Sequence, residues 1–131
     1  MERNKNLIEQ YPWLCSCIDD ENGIPNDYDY RYTLLDELPL GWRDLILELC
    51  KGLRDRLIEH DLLDKYRVAE AKEKWHMLRW YDYLTDYESM PDDIVDLVSE
   101  YERRSRSVCL FCGRPKLSTE PCCTHCATTF F

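Results

Sequence analysis

The sequence predicts one small domain with two firm helices, an aromatic-rich centre between them and a C-terminal metal knuckle. Three observations carry this. Between Pro39 and His60, the residues Trp42, Leu45, Ile46, Leu49, Leu53 and Leu57 recur at helical spacing and form one apolar stripe. A second stripe, Ile94, Leu97, Val98 and Tyr101, follows the helix-opening text Ser89-Met90-Pro91-Asp92. Residues 108–127, VCLFCGRPKLSTEPCCTHCA, then hold two C-x-x-C pairs.

Taken in order, Asn4 to Gln10 suits a short helix ending at Tyr11-Pro12, because a residue before proline is steered away from the helical region. Trp13, Leu14 and Ile18 supply apolar anchors. Cys15 and Cys17 stand too close together for a knuckle and read as buried or half-buried thiols. DDENGIPNDYD, residues 19–29, is an acidic loop marked by Asn22-Gly23 and Pro25. The alternating Tyr28, Tyr30 and Tyr32 suit a short strand or an exposed aromatic edge.

In the first main helix, Gly52 costs about 1 kcal/mol relative to alanine, which points to a close packing contact there. Cys50 is expected beside the core. His60 is expected as a cap-region or solvated group. Tyr66 to Tyr83 reads two ways. Its Ala, Glu and Lys content favours helix, while its aromatic and β-branched positions fit two strands joined near Trp75-His76-Met77. In the second main helix, Ser89 is expected as the cap, Asp92 and Asp93 in the first turn, and Arg103, Arg104 and Arg106 at the end where cations complement the dipole. That helix runs almost directly into Cys109. The expected organisation is an acidic domain over residues 1–107 and a zinc-binding knuckle over 108–131 packed on the preceding helix.

The cysteine pairs carry the clearest chemistry. Cys109, Cys112, Cys123 and Cys126 offer four thiolates to one tetrahedral zinc at about 2.3 Å, and Gly113 suits the tight turn after the first pair. The text CCTHC also allows a shifted frame, with Cys122 and His125 as the second pair, since zinc accepts three thiolates and an imidazole. Two disulfides are the competing reading. No signal-peptide pattern opens the sequence, so a reducing cytoplasm and zinc are expected.

Charge limits the partners. The chain carries 26 acids against 17 bases, a net of −9, and residues 1–40 hold nine acids and three bases. Strong nucleic-acid binding ordinarily needs a basic face, so the balance favours solubility or attraction to a basic protein surface. No apolar run approaches a membrane span. No nucleophile motif, phosphate loop or H-x-E appears, and four thiolates would leave zinc no position for water, so no catalytic residues are expected. Arg103, Arg104, Arg106, Arg114 and Lys116 near the knuckle keep a zinc-ribbon nucleic-acid-binding or transcription accessory protein as the alternative.

Two stretches carry a resemblance. Lys72-Glu73-Lys74-Trp75-His76-Met77-Leu78-Arg79-Trp80-Tyr81 and Ser105-Arg106-Ser107-Val108-Cys109-Leu110-Phe111-Cys112-Gly113 resemble a group of small bacterial and phage proteins. Those proteins share a K-E-K-aromatic, L-R-aromatic-Y segment and an S-x-x-x-C-x-x-C-G knuckle. The resemblance covers about Asp64 to Cys126. It implies a β-hairpin for residues 66–83, with His76 and Met77 where the family has small residues, and so an α+β fold. Phage proteins of this size and acidity include anti-CRISPR inhibitors, some with zinc. The expectation that follows is a non-enzymatic, acidic, zinc-containing protein-binding module that blocks nucleic-acid loading by a host RNA-guided nuclease, with Asp19, Asp20, Glu21, Asp27 and Asp29 as its electrostatic contacts.

Overall fold

The computed structural model describes residues 2–120 and 122–130, except for the side chains of residues 2, 3, 129 and 130. Among the described residues, four helices and one antiparallel hairpin appear in the order α1 (Glu2–Gln10), α2 (Arg43–Glu59), β1 (Tyr66–Lys74), β2 (Met77–Leu84), α3 (Asp92–Ser105) and α4 (Thr124–Phe130). Short 3-10 turns occupy Pro12–Leu14, Leu34–Glu37, Leu40–Trp42 and Thr85–Tyr87. The fold is α+β, and the central segment is a hairpin rather than a helix.

The hairpin register runs from Tyr66 opposite Leu84 to Lys74 opposite Met77, with a bulge between Val68 and Glu70. Its inner face buries Tyr66, Ala71, Leu78, Trp80 and Leu84. These side chains meet Ile46, Leu49, Leu53 and Leu57 from the α2 stripe and Ile94 and Val98 from α3 in one core. Alternation of period two on β2 and of about 3.6 on the helices sends both sets inward.

α3 lies along the open edge of β2. Leu78 N donates to Ser105 Oγ at 2.8 Å, and Trp80 N donates to a Glu102 carboxylate oxygen at 2.9 Å. Strand amides that would otherwise be unpaired or open to another chain are satisfied by helix side chains. Gly52 permits the α2–α3 contact, since a Cβ there would come within 3.1 Å of a Leu97 methyl. This is the close packing contact expected of a glycine inside a helix.

A polar thread crosses the core. Tyr66 Oη donates to Asp82 Oδ2 at 2.6 Å and accepts from Trp80 Nε1 at 2.8 Å. Trp13 stands edge-on to Tyr66, with ring centroids 5.2 Å apart, and its Nε1 donates to Cys50 Sγ at 3.3 Å. Burial pushes the Cys50 thiol up to about 12 and the Tyr66 phenol well up, and it raises the Asp82 carboxyl. Cys15 is buried and Cys17 exposed.

Three local expectations need correction. Tyr28, Tyr30 and Tyr32 form no strand, because Asp29 makes a turn in which its carboxylate accepts from Arg31 N and its carbonyl from Tyr32 N. The helix expected from Pro39 becomes regular only at Arg43. Pro39 is extended, with ψ 138°, and the chain tightens over Leu40–Trp42. Ser89 does not cap α3. Pro91 takes the cap position without a side-chain bond, and Asp92 and Asp93 fill the first turn as expected.

Candidate metal centre and the surfaces around it

The two cysteine pairs come from different local structures. Cys109 and Cys112 lie on a tight loop after α3, closed by Cys109 N donating to the Arg114 carbonyl and Gly113 N to the Cys109 carbonyl, at 2.7 and 3.1 Å. Gly113 takes φ +82°, a left-handed value that favours glycine. Cys123 and Cys126 sit at the start of α4, a helix the sequence did not signal, with Cys126 N donating to Cys123 Sγ at 3.5 Å.

Folding gathers the sulfurs of Cys109, Cys112, Cys123 and Cys126 within 4.8 Å of one another, a group that could hold a metal ion. Cys112 Sγ and Cys123 Sγ are 3.5 Å apart. Four sulfurs 2.3 Å from a tetrahedral centre lie roughly 3.8 Å from each other, so this set fits such an ion. Burial opposes ionisation of Cys109, but backbone N–H groups around it outweigh that and bring its thiol down to about 6. The Cys126 N–H holds Cys123 below the usual thiol range, while burial and the neighbouring sulfurs push Cys126 up. The shifted pair lies outside that group, although Cys122 packs in one buried cluster with Cys109, Cys123 and Cys126. Cys122 is buried against a groove of about 700 Å³ beside Lys116, Leu117 and Ala127, and His125 is exposed.

Sequence reasoning placed the knuckle on the end of α3 and missed its second anchor. Gly41 N donates to the Leu110 carbonyl at 2.9 Å, and Trp42 Nε1 donates to the Val108 carbonyl at 3.2 Å. A Cβ on Gly41 would lie 2.0 Å from the Cys109 carbonyl oxygen and 2.8 Å from Gly113 N. Backbone therefore meets backbone where α2 begins. The only signal in the text was a glycine beside Trp42 at the start of an otherwise continuous stripe. Ser105 was visible in the motif, but its work for β2 was not.

The five acids expected to meet a partner are divided. Asp19 accepts from Glu21 N and Asn22 N, both at 2.8 Å, and these bonds hold its carboxyl below the ordinary range. Asp20 accepts from Tyr83 Oη at 2.8 Å and stands 3.7 Å from the buried Arg67 guanidinium. Asp29 pairs with Arg31 at 3.0 Å, which lowers its carboxyl. Glu21 and Asp27 are exposed, with no ion pair among the described residues.

Tertiary structure also separates charge along the molecule. At one end, where α2 stops and α3 starts, residues 59–65 and 85–96 hold eight acids and one base. His60 is there, with Nε2 2.9 Å from an Asp93 oxygen, and Lys65 contacts Glu88 at 2.9 Å. At the other end, the hairpin tip and the knuckle, residues 72–79 and 101–116 hold eight bases and two acids.

No family model, no curated protein and no solved structure matches the chain. Among the described residues, no helix is long and apolar enough to cross a membrane.

Proposed function

We propose that this is a non-enzymatic protein-binding module held together by structural zinc. The observation that carries the reading is the closed set of four cysteine sulfurs welded to the start of α2 through Gly41. Four thiolates fill zinc's tetrahedron and leave no place for a water or substrate, so the metal's contribution is folding free energy. The working surface then lies elsewhere. The acidic end, with Asp61, Asp86, Asp92 and Asp96 exposed, suits docking on the basic nucleic-acid groove of a partner, and Glu21 and Asp27 add to the field. An RNA-guided nuclease of a bacterial host, kept from loading its nucleic acid in the manner of an anti-CRISPR inhibitor, is the partner class this reading favours.

Cobalt substitution tests the metal. An all-thiolate tetrahedral spectrum is expected, and a spectrum with fewer than four sulfurs overturns the closed site. The partner is tested by pull-down of the purified protein against lysates containing such nucleases. Capture of the effector, lost on Asp92→Lys with Asp96→Lys and weakened by salt, supports the reading. Effector recovered equally by that variant would refute the acidic-end docking.

A further inference from the structure

The hairpin tip has an arrangement that neither the core nor the metal explains. Trp13, Trp42 and Trp80 are all but fully buried, whereas Trp75 is 80 % exposed at the first position of the two-residue turn. Trp75 and His76 both take left-handed conformations, at φ +55° and +65°. Such a turn is ordinarily built from Asn-Gly, because each residue with a Cβ in this region costs on the order of 1 kcal/mol. The chain thus accepts backbone strain and displays its largest apolar ring in water.

The residues around the tip have a shared character. Along β2 the outward side chains alternate with the buried Leu78, Trp80 and Leu84, which puts Arg79 and Tyr81 on one face about 6.8 Å apart, leading to Trp75. The bond from Leu78 N to Ser105 Oγ brings this strand end against the C-terminus of α3, one residue before Arg106. Among the described residues, no ion pair engages Lys74, Arg79 or Arg106, nor Lys51, Arg54, Arg56, Arg114 or Lys116, while Lys65, Arg67, Arg103 and Arg104 all have acidic partners. The Nε of Arg79 is buried without a hydrogen-bond partner. Unpaired cations and displayed aromatic rings therefore share one end of a chain whose net charge is −9.

From this juxtaposition we propose that the hairpin tip binds single-stranded nucleic acid, with Trp75 stacking on a base and Lys74, Arg79 and Arg106 meeting phosphates. Aromatic platforms among basic residues serve this chemistry, because every base offers a π-face and every linkage a negative charge. A duplex keeps its bases stacked and offers Trp75 nothing to cover. The inference does not rest on the acidic end, since it concerns the opposite pole and requires no protein partner.

The zinc-loaded full chain is titrated with dT12, rU12 and a 12-base-pair duplex while tryptophan emission is followed, because Trp75 is the exposed reporter. Saturable quenching by either strand is expected at low salt, with log K falling against log salt with a slope of about −2 for three phosphates. Trp75→Ala is expected to weaken binding at least tenfold, Trp75→Phe to stay within about threefold, and Lys74→Glu with Arg106→Glu to abolish it. Anisotropy with a labelled strand supplies the readout for the Trp75 variants, and an unchanged melting temperature shows that they fold. The proposal is overturned by no saturable binding at about 50 mM salt, by Trp75→Ala binding like the parent, by equal affinity for duplex, or by poly-glutamate competing as well as dT12.

Discussion

Two tight turns lie near each other at the basic end and follow opposite rules. The knuckle turn puts glycine at its left-handed position, Gly113 at φ +82°, and its conformation is legible from local sequence. The hairpin turn puts tryptophan and histidine at two such positions, against local preference. Its geometry is imposed by neighbours: the β1–β2 ladder behind it and the Ser105 hydroxyl that accepts from Leu78 N. A turn that suits its own sequence brings the Cys109 and Cys112 thiols into a group that could hold a metal. One held by its surroundings is free to display side chains that a turn would not choose.

The largest test of this contrast removes the metal turn's reason to exist. If the four sulfurs hold a structural metal as proposed, Cys109→Ser, or chelation of the parent, is expected to abolish the cooperative unfolding transition of the knuckle and lower the melting temperature of the whole chain, because in such sites metal binding is folding free energy. An unchanged melting curve would show the clasp to be dispensable. Gly41→Ala comes next. Its Cβ has 2.0 Å to the Cys109 carbonyl, so the knuckle must move off α2, at a cost of about 3 kcal/mol or more by denaturant titration.

Ser105→Ala acts on the hairpin instead. It strips a buried strand amide of its acceptor, and a loss of about 1–3 kcal/mol is expected, with hydrogen exchange accelerated at Leu78. Replacing Trp75-His76 by Asn-Gly should raise stability by about 1 kcal/mol, because the strain is relieved and little packing is lost. A destabilised product would mean that the exposed ring supports the fold after all.

The smallest effect concerns Asp82, halfway down the hairpin. Burial raises its carboxyl above the unfolded value of 3.8. The folded chain therefore holds a proton there that the unfolded chain has lost, and this contribution to stability falls as pH rises from about 3.8 through the raised value. Asp82→Asn keeps an acceptor for Tyr66 Oη and removes the titration. The stability difference between parent and variant should shift in the variant's favour across that interval and become flat above it. A difference independent of pH would place the carboxylate outside the Tyr66 network.

Much of the architecture was visible beforehand for a plain reason. Apolar stripes at helical spacing have only one way to be buried, so α2 and α3 follow from Trp42 to Leu57 and Ile94 to Tyr101. Two C-x-x-C pairs announce four candidate sulfurs. The central segment was different. Alternation and helix-forming composition competed between Tyr66 and Tyr83, and the strands prevailed because β1 and β2 bury Tyr66, Leu78 and Trp80 together against α2. The acidic loop is less free than its sequence suggests. Asp19, Asp20 and Asp29 look like free charge in one dimension, but a turn, a phenol and two guanidinium groups use them.

By itself the sequence determined the two helical stripes, the cysteine pairs and the net charge, because each depends on residue type and short spacing alone. Only the tertiary structure decided that the sulfurs of Cys109, Cys112, Cys123 and Cys126 converge in one group without Cys122, that Gly41 anchors the knuckle, and that acids and bases part to opposite ends. Those outcomes depend on contacts between residues dozens of positions apart, such as Trp42 with Val108 and Leu78 with Ser105. Such contacts form only when the whole core closes and no local window holds both partners.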